Sequence, residues 1–269
     1  KTTDMKQNLS TKTRTESDLI GSREVPESAL YGVQTLRGIE NFRISKFHLN
    51  EYPLFIQALA ITKMGAVVAN RKLDLLTEEQ ADAILKACKE VLEGKHHEQF
   101  PVDMIQGGAG TTTNMNVNEV IANRALELMG HRRGEYQYCS PNDHVNRSQS
   151  TNDAYPTAIH IGLYYTHLKL VKHFGELIAS FRKKGKEFAH IIKMGRTQLE
   201  DAVPMTLGQT FNGFANILEQ EVKNLDFAAQ DFLTVNMGAT AIGTGITAEP
   251  EYAEMCIEAL CKITGLDIK

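Results

Sequence analysis

Two long helical patterns dominate the second half of this 269-residue chain. Between Thr157 and Ile192, apolar residues recur every three or four positions, and the same spacing runs from Leu207 to Val235. The first pattern predicts a helix of about 36 residues, which is roughly 54 Å long at the rise of an α-helix. Amphipathic helices of this length exceed what a compact monomer usually needs. They indicate a bundle or coiled-coil assembly.

The helices in this half of the chain are too few to complete such a bundle. One shorter helix is predicted from about Glu251 to Ile263, and the chain stops soon after Gly265. Two long helices and one short one cannot close a bundle by themselves. We therefore expect the C-terminal part of this domain to be missing, with partner chains supplying part of the remaining surface.

The first half of the chain predicts a mixed domain with ordinary helices. Residues 1–50 look irregular, and their turn-forming and β-forming residues predict short extended pieces. A helical pattern follows from Leu54 to Asn70, and Thr77-Glu-Glu-Gln80 is a capping box that opens a helix ending at Gly94. The predicted fold class is mainly α, with an N-terminal mixed and helical domain over residues 1–147. The start of a long-helix bundle domain is predicted over residues 148–269.

Composition and charge argue against several classes of protein. The formal net charge is −4 and no basic stripe is visible, so a nucleic-acid partner is not expected. No apolar run approaches the roughly 20 residues of a membrane span, and the segment from Lys1 to Asp18 lacks the apolar core of a signal peptide. The four cysteines form no C-x-x-C pair. Together these features predict a cytoplasmic protein with no membrane partner.

The segment from Gly107 to Glu119 is the strongest candidate for a binding site. Glycines at positions 107, 108 and 110 would let a small ligand approach backbone N–H groups, and three threonines and three asparagines follow them. A helix is predicted from Val117 to Met129, so the loop would lead into a helix N-terminus, which attracts anions. Because the segment contains no Lys or Arg, it favours a carboxylate held by neutral donors. An ordinary C-cap, loop and threonine N-cap would explain only one or two of these residues.

Two further polar loops precede the long helices. The loop at 146–157 contains Ser150, Thr151 and Asn152, and the loop at 195–206 contains Thr197 and Gln198. Helix capping needs only one residue of the first set, and a loop hydrogen-bond network is the alternative for the second. The three loops contain no metal-ligand pattern, nucleophile elbow, P-loop or G-x-G-x-x-G sequence. We therefore predict no metal site and no cofactor.

These three loops resemble three sequence blocks of the aspartase/class II fumarase superfamily. The matching segments are Gly108-Ala-Gly-Thr-Thr-Thr-Asn-Met-Asn-Val-Asn-Glu119, Gln149-Ser-Thr-Asn-Asp153 and Gly195-Arg-Thr-Gln-Leu-Glu-Asp201. Supporting similarity runs through residues 31–42 and 241–245. The resemblance covers nearly the whole chain after about residue 16, with the blocks in the expected order.

Within the superfamily, the sequence resembles the aspartate ammonia-lyase branch more than the class II fumarase branch. Class II fumarases typically carry His after the Thr of the third block, where this chain has Gln198. They also usually carry His before Pro-Asn-Asp, at a second dicarboxylate site, where this chain has Ser140. Fumarase, which hydrates fumarate to malate, remains the alternative activity.

The resemblance implies a mainly helical, three-domain subunit in a homotetramer, with each active site assembled from three subunits. The implied reaction is the reversible deamination of L-aspartate to fumarate and ammonia through an aci-carboxylate intermediate. No cofactor is implied. Some aspartases respond to divalent cations, but no metal site can be assigned in this sequence.

The resemblance also implies roles for individual residues. Thr111, Ser150 and Thr151 would bind substrate carboxylates, and Thr197 would bind the β-carboxylate together with donors from other chains. Asn152 would hold the α-amino end of the substrate. Gln198 would line the same pocket.

One feature of the family is absent from this sequence. The family's general base is a Ser on a mobile Gly-Ser-Ser loop, and no such segment occurs in the chain. We expect it beyond residue 269. The alternative for the 269 residues by themselves is a non-catalytic piece of the lyase that carries part of the donor set and no base.

Overall fold

The computed structural model describes residues 12–108 and 110–269, which form two compact units. One unit comprises the chain up to Gly162 together with Thr234–Lys269, and the other comprises Leu163–Leu233. The described chain is mainly helical, which confirms the predicted fold class. The predicted domain boundary after residue 147 stays a prediction.

The first unit is built around a buried central helix. An N-terminal hairpin pairs β1 (Thr13–Asp18) with β2 (Gly21–Pro26). The complete helices of the unit are α1 (Val33–Asn41), α2 (Pro53–Lys72), α3 (Glu78–Leu92), α4 (Thr111–Leu128) and, near the C-terminus, α7 (Tyr252–Thr264). The first turns of α5 (Thr151–Glu187) also belong to it. Short 3₁₀ turns lie at Leu49–Glu51 and His97–Gln99, and a π-helical turn lies at Pro141–Val145. The central helix α2 packs against α3, α4 and α7, and these contacts form the core.

Helix α2 corrects one conclusion drawn from the sequence. It has 20 residues, and its most apolar 18-residue stretch has a mean hydropathy of 1.3. Among the described residues, this helix is therefore long and apolar enough to cross a membrane. However, 72% of its most apolar stretch is buried inside the unit. Its polar residues Thr62, Lys63 and Asn70 are buried as well. These properties fit the core helix of a folded domain, because such a helix is covered by other helices on every side.

Local signals in this unit were predicted with mixed success. The capping box at the start of α3 is confirmed, since Thr77 Oγ1 accepts a hydrogen bond from the Gln80 N–H at 3.2 Å and Gln80 Oε1 accepts one from the Thr77 N–H at 3.1 Å. The irregular structure expected over residues 1–50 is wrong for Val33–Asn41, which forms α1. Residues 1–11 of that range lie outside the described chain.

Helix α1 is stabilised by two carboxylates that are distant in sequence. Glu119 accepts hydrogen bonds from the N–H groups of Gly32, Gln34 and Thr35, and Glu16 accepts one from the Val33 N–H. These four N–H groups are the ones that a helix N-terminus leaves without intrahelical partners. A local sequence pattern could not reveal them, because their acceptors lie 17 residues upstream in one case and 84–87 residues downstream in the others.

The second unit contains the rest of α5, a hairpin of β3 (Ile192–Thr197) and β4 (Glu200–Thr206), helix α6 (Leu207–Ala229) and a 3₁₀ turn at Gln230–Leu233. Phe181 of α5 and Phe188, which directly follows α5, pack against Phe211 of α6, with ring centroids 6.0 and 5.6 Å apart. Helix α6 begins with its own capping box, formed by Thr206 and Gln209. The predicted helix from Leu207 to Val235 is therefore correct in place and a few residues too long.

Helix α5 has the predicted length but begins and ends earlier than predicted. It contains Pro156, whose missing N–H would have bonded the Asn152 carbonyl, and the Asn236 side-chain amide donates to that carbonyl at 2.9 Å instead. The helix can therefore continue through the proline, whereas the sequence pattern predicted its start at Thr157. At the other end, the N–H groups of Leu207 and Gly208 bond the carbonyls of Ile191 and Phe188, and β3 begins at Ile192.

Candidate active site

The glycine loop leads directly into α4, which begins six residues earlier than predicted. Gly108 and Gly110 have φ angles of +72° and +89°, in the left-handed region that glycine tolerates best. The side chain of Gln106 caps the first turn, because its oxygen accepts a hydrogen bond from the Thr113 N–H at 2.8 Å and its amide donates to Thr113 Oγ1 at 2.6 Å. Thr111 is therefore the first residue of α4, and its side chain is exposed.

This earlier start changes the interpretation of the asparagines in the segment. Asn114, Asn116 and Asn118 lie inside α4 and are buried, so they form part of the domain interior and not an open ligand-binding loop. Asn116 donates to the Gln99 carbonyl, for example, at 3.0 Å. The polar residues looked like a binding loop in the sequence because a buried amide network has the same composition.

The second polar loop ends at the N-terminus of α5. Ser150 Oγ accepts a hydrogen bond from the Asn152 N–H at 3.2 Å, and Asp153 Oδ1 accepts one from the Ser150 N–H at 2.9 Å. Ser150 and Asp153 therefore cap the helix reciprocally, which leaves Thr151 and Asn152 in its first turn. Of the three predicted binding residues in this loop, helix capping therefore explains Ser150 and leaves Thr151 and Asn152 unexplained.

Asn152 has an orientation that suits binding of an ammonium group. Its side-chain Nδ2 donates to the Ala241 carbonyl at 2.8 Å, which fixes the amide with its nitrogen toward residue 241. Among residues 12–108 and 110–269, its side-chain oxygen has no hydrogen-bond partner and is available as an acceptor. An ammonium group requires acceptors of this kind.

Asp153 connects the start of α5 to the segment before α7. It is fully buried, and Oδ2 accepts hydrogen bonds from the N–H groups of Gly238 and Thr240 at 3.1 and 3.0 Å. Burial raises the pKa of its carboxyl group, while its backbone N–H donors lower it. The residue therefore fixes the 238–240 turn against the helix that carries Ser150, Thr151 and Asn152.

The two helix N-termini are joined by a residue that the sequence analysis missed. Lys63 of α2 is buried, and its Nζ donates to Asn114 Oδ1 at 2.8 Å, Gln149 Oε1 at 2.9 Å and Asn146 Oδ1 at 3.0 Å. Asn114 in turn donates from Nδ2 to Thr151 Oγ1 at 3.3 Å. Burial lowers the pKa of the Lys63 ammonium to about 7, and the Asp153 carboxylate opposes that shift. A Lys in the middle of the apolar sequence of α2 is the signal that could have indicated this residue.

A cavity of about 530 Å³ lies beside the glycine loop. Its wall includes Gln106, Gly108, Gly110 and the side chain of Tyr155, and Asn152 is the predicted binding residue that lines it. The Tyr155 ring lies against Gly110 so closely that an added Cβ would be 2.4 Å from it. Glycine at position 110 is therefore required by both the backbone conformation and the neighbouring ring.

The third polar loop is a hairpin in the second unit, where the sequence analysis expected an irregular loop. Thr197 pairs with Glu200 at the ends of β3 and β4, and Gln198 and Leu199 form the two-residue turn. Both turn residues have positive φ angles, 51° and 68°, as the preferred hairpin turn with two positive φ angles requires. Thr197 and Gln198 are exposed. The structure thus places Thr111, Ser150, Thr151 and Asn152 in one unit and these two residues in the other.

Histidines and carboxylates do not form a metal site in the described parts of the chain. No group of three or more His, Cys, Asp or Glu side chains is arranged to hold a metal ion among residues 12–108 and 110–269. Ser140 caps the π-helical turn, since its Oγ accepts hydrogen bonds from the N–H groups of Asn142 and Asp143.

A family model of lyases, Lyase_1, matches residues 21–269, which is nearly the whole chain. The chain belongs to this lyase family. Among curated proteins, it is 55% identical to an aspartate ammonia-lyase of Pseudomonas canavaninivorans over 94% of its own length and 53% of that protein. It is 53% identical to the aspartate ammonia-lyase of Escherichia coli K12 over 96% of its own length and 54% of that protein. The chain thus spans about half the length of the curated relatives it matches.

Solved structures of the lyase family have the same fold. A fumarate lyase:delta crystallin from Brucella melitensis, bound to cobalt, superposes with a TM-score of 0.92 at 50% identity, covering 96% of this chain and 56% of that one. A class II fumarase from Schistosoma mansoni superposes with a TM-score of 0.88 at 36% identity, covering 94% of this chain and 53% of that one. The resemblance seen in the three sequence blocks is therefore confirmed at the level of the family.

Proposed function

We propose that the full-length protein is an ammonia-lyase that reversibly converts L-aspartate to fumarate and ammonia. The observation that carries this proposal is the 55% identity to an aspartate ammonia-lyase over 94% of the chain. Gln198 and Ser140 stand where class II fumarases typically carry His, which further favours deamination over hydration.

The difficult step of this reaction is removal of a proton from Cβ, next to a carboxylate that is already negative. The electron pair of the broken C–H bond moves into that carboxylate and forms the aci-carboxylate, which carries about two negative charges on one group. When the pair returns to form the double bond, the Cα–N bond breaks and ammonia leaves. Preorganised donors that face the carboxylate lower the barrier, as in an oxyanion hole.

The first unit offers donors of this kind at two helix N-termini. Thr111 begins α4, and Ser150 and Thr151 lie at the start of α5, so hydroxyl groups and helix dipoles are combined at each N-terminus. We assign these three residues to the substrate carboxylates and Asn152, through its available oxygen, to the α-amino group. Thr197 would bind the β-carboxylate together with donors from other chains, and Gln198 would line the same pocket.

The proposal requires residues that this chain does not contain. The general base, a Ser on a mobile loop, is assigned to sequence beyond residue 269, and each active site is assigned to three subunits of a cytoplasmic homotetramer. Large apolar side chains exposed on both long helices, including Leu168 and Leu177 of α5 and Ile217 and Phe227 of α6, support an assembly that covers them. No cofactor is proposed.

The test is ammonia release from L-aspartate by the purified full-length protein, with fumarate formation measured in parallel. Hydration of fumarate to malate without ammonia chemistry would replace the proposal with the fumarase activity. A 269-residue protein that ends at Lys269 should release no ammonia, because it lacks the base.

The assigned hydroxyls are tested by Thr111→Ala and Ser150→Ala in the active protein. Removing one preorganised donor should lower turnover by about a hundredfold to a thousandfold. Ser180→Ala is the matched control, because the Ser180 hydroxyl donates to the Glu176 carbonyl within α5 at 2.9 Å and is assigned no role in substrate binding. Unchanged kinetics for Thr111→Ala would refute its assignment.

A further inference from the structure

Lys63 is a charged group held behind the two helix N-termini. Its ammonium is fully buried and makes its three hydrogen bonds to three side-chain amide oxygens, those of Asn114, Asn146 and Gln149. None of these acceptors carries a charge. The ammonium therefore serves to hold amides, and those amides belong to the first two polar loops identified in the sequence.

An ammonium group fixes the orientation of each amide that it contacts. It has three donors and no acceptor, so Asn114 can present only its oxygen to Lys63. The Nδ2 group of Asn114 must then point the other way, and it lies 3.3 Å from Thr151 Oγ1 and 3.1 Å from Asn146 Oδ1. Amide oxygen and nitrogen positions are normally assigned from the surrounding hydrogen bonds. Here the protonated Lys63 beside Oδ1 and the Asn146 oxygen beside Nδ2 both favour this orientation of Asn114.

The same constraint passes from Asn114 to Thr151. A threonine hydroxyl has one hydrogen to donate and lone pairs that accept. Because Asn114 Nδ2 has only hydrogens to offer, Thr151 Oγ1 must accept from it. The single hydroxyl hydrogen of Thr151 is then free to be donated elsewhere.

We propose that Lys63 is a positioning residue that acts through Asn114 to keep the Thr151 hydroxyl available as a donor to the substrate carboxylate. This inference rests on the proposed function, in which Thr151 binds that carboxylate. Lys63 donates to the Asn114 oxygen, the Asn114 amide nitrogen donates to the Thr151 hydroxyl, and this hydroxyl donates to the substrate carboxylate. Lys63 itself does not touch the substrate.

The competing explanation is that Lys63 only stabilises the fold by joining α2, α4 and the 146–149 loop. Asn114→Asp separates the two explanations. This change is isosteric and keeps an oxygen for Lys63, so the link between the helices survives as a buried, hydrogen-bonded ion pair. It replaces the donor that faces Thr151 with an acceptor, and the Thr151 hydroxyl then donates to the introduced carboxylate.

The experiment compares kcat/KM for ammonia release by the full-length protein and its Asn114→Asp variant, with melting temperatures measured beside them. We expect a folded variant with a lowered melting temperature, because the new carboxylate oxygen also faces Asn146 Oδ1, and a kcat/KM lowered by about a hundredfold, the usual effect of losing one preorganised donor. Gln149→Glu is the matched control. It adds the same charge beside the same ammonium, but Gln149 donates to the carbonyls of Val145 and Arg147 and not to Thr151. Its kcat/KM should fall much less than that of Asn114→Asp.

A double-mutant cycle tests the route through Thr151. In a Thr151→Val background, Asn114→Asp should change kcat/KM by no more than about twofold, because the hydroxyl it redirects is already gone. In a Thr111→Val background its effect should remain at full size, since Thr111 is not part of this chain of hydrogen bonds. A folded Asn114→Asp variant with wild-type kcat/KM would overturn the proposal, and so would effects of Asn114→Asp and Thr151→Val that multiply fully.

Fumarate binding to the same proteins keeps this result separate from the proposed function. If the wild type binds fumarate but releases no ammonia from L-aspartate, the proposed lyase activity fails. The positioning role is then decided by the fumarate Kd alone. It should rise in Asn114→Asp and much less in Gln149→Glu, and equal values in the two variants would refute it.

Discussion

Gly110 offers the sharpest test of the geometry around the glycine loop. Its φ angle of +89° and ψ angle of 19° lie in the left-handed region, where a residue with a Cβ is disfavoured by about 1–2 kcal/mol. An added Cβ would lie 2.4 Å from Cδ1 and Cγ of the Tyr155 ring. The ring cannot retreat easily, because it packs edge-on against Phe55 with centroids 5.6 Å apart.

Gly110→Ala should therefore cost more than backbone strain alone. Forcing extra volume into a packed site typically costs about 1–3 kcal/mol, so the two effects together should destabilise the protein by about 2–5 kcal/mol. That is a large share of the roughly 5–15 kcal/mol by which a folded protein is stable. The measurement is equilibrium urea unfolding of the full-length protein, at one protein concentration for all variants so that association in the proposed homotetramer would affect each of them equally.

Gly94→Ala is the control that isolates the backbone strain. Gly94 has the same φ angle of +89°, but an added Cβ there would meet nothing within 4 Å. Its substitution should cost only the strain of about 1–2 kcal/mol. In a Tyr155→Ala background, Gly110→Ala should fall to the same value because the ring is gone. If Gly110→Ala and Gly94→Ala cost the same in the wild-type background, the close approach of Tyr155 to the loop is refuted.

Four further predictions follow from named contacts. Glu119→Gln should destabilise the protein by about 1–3 kcal/mol in urea unfolding, because Glu119 accepts hydrogen bonds on both oxygens and one would become an N–H donor facing another N–H. Burial raises the pKa of Glu119 to about 7 from 4.5, so the folded state binds this proton more tightly than the unfolded state. The stability that comes from this tighter proton binding is fully present below about pH 4.5 and is lost as the pH rises through about 7. The free energy of unfolding of the wild type, measured in urea relative to Glu119→Gln, should therefore fall over that pH range. Thr77→Ala should cost about 1 kcal/mol through loss of the α3 cap, measured by the same unfolding assay, and Thr206→Ala should cost a similar amount at the start of α6. Leu199→Gly should raise the melting temperature slightly, because Leu199 is 95% exposed and has a φ angle of 68° that glycine adopts without strain.

Elements whose signals are local could be predicted from the sequence. The Thr77 capping box, the helix that follows it and the pattern of α7 depend on residues within a few positions of one another. The boundaries of α5 could not be predicted in the same way. Its passage through Pro156 depends on Asn236, which lies 84 residues away from Asn152, the residue whose carbonyl it satisfies. Helix α1 was missed for the same reason, since the carboxylates of Glu16 and Glu119 replace a local cap.

In the candidate site, the sequence could predict which residues lie at the helix N-termini but not how their hydrogen-bonding groups are oriented. The predicted residues Thr111, Ser150, Thr151 and Asn152 are all found at helix N-termini, where hydroxyl and amide groups can meet an anion. Their positions are local properties of the loops, so the sequence could indicate them. The contacts that orient the Thr151 hydroxyl run through Asn114 to Lys63, which is buried in α2 and lies outside the three sequence blocks.

Lys63 also explains why the predicted binding loops contain neutral donors and yet lie close to a positive charge. A cation in direct contact with the substrate carboxylate would also stabilise the negative charge that develops there. Lys63 instead contacts amide oxygens at 2.8–3.0 Å, and one of these amides, that of Asn114, donates a hydrogen bond to Thr151. A fixed dipole at the reacting group needs little reorganisation when charge develops there. The interior of the first unit therefore contributes to the site by setting the direction of hydrogen bonds, and the loops contribute the groups that donate them.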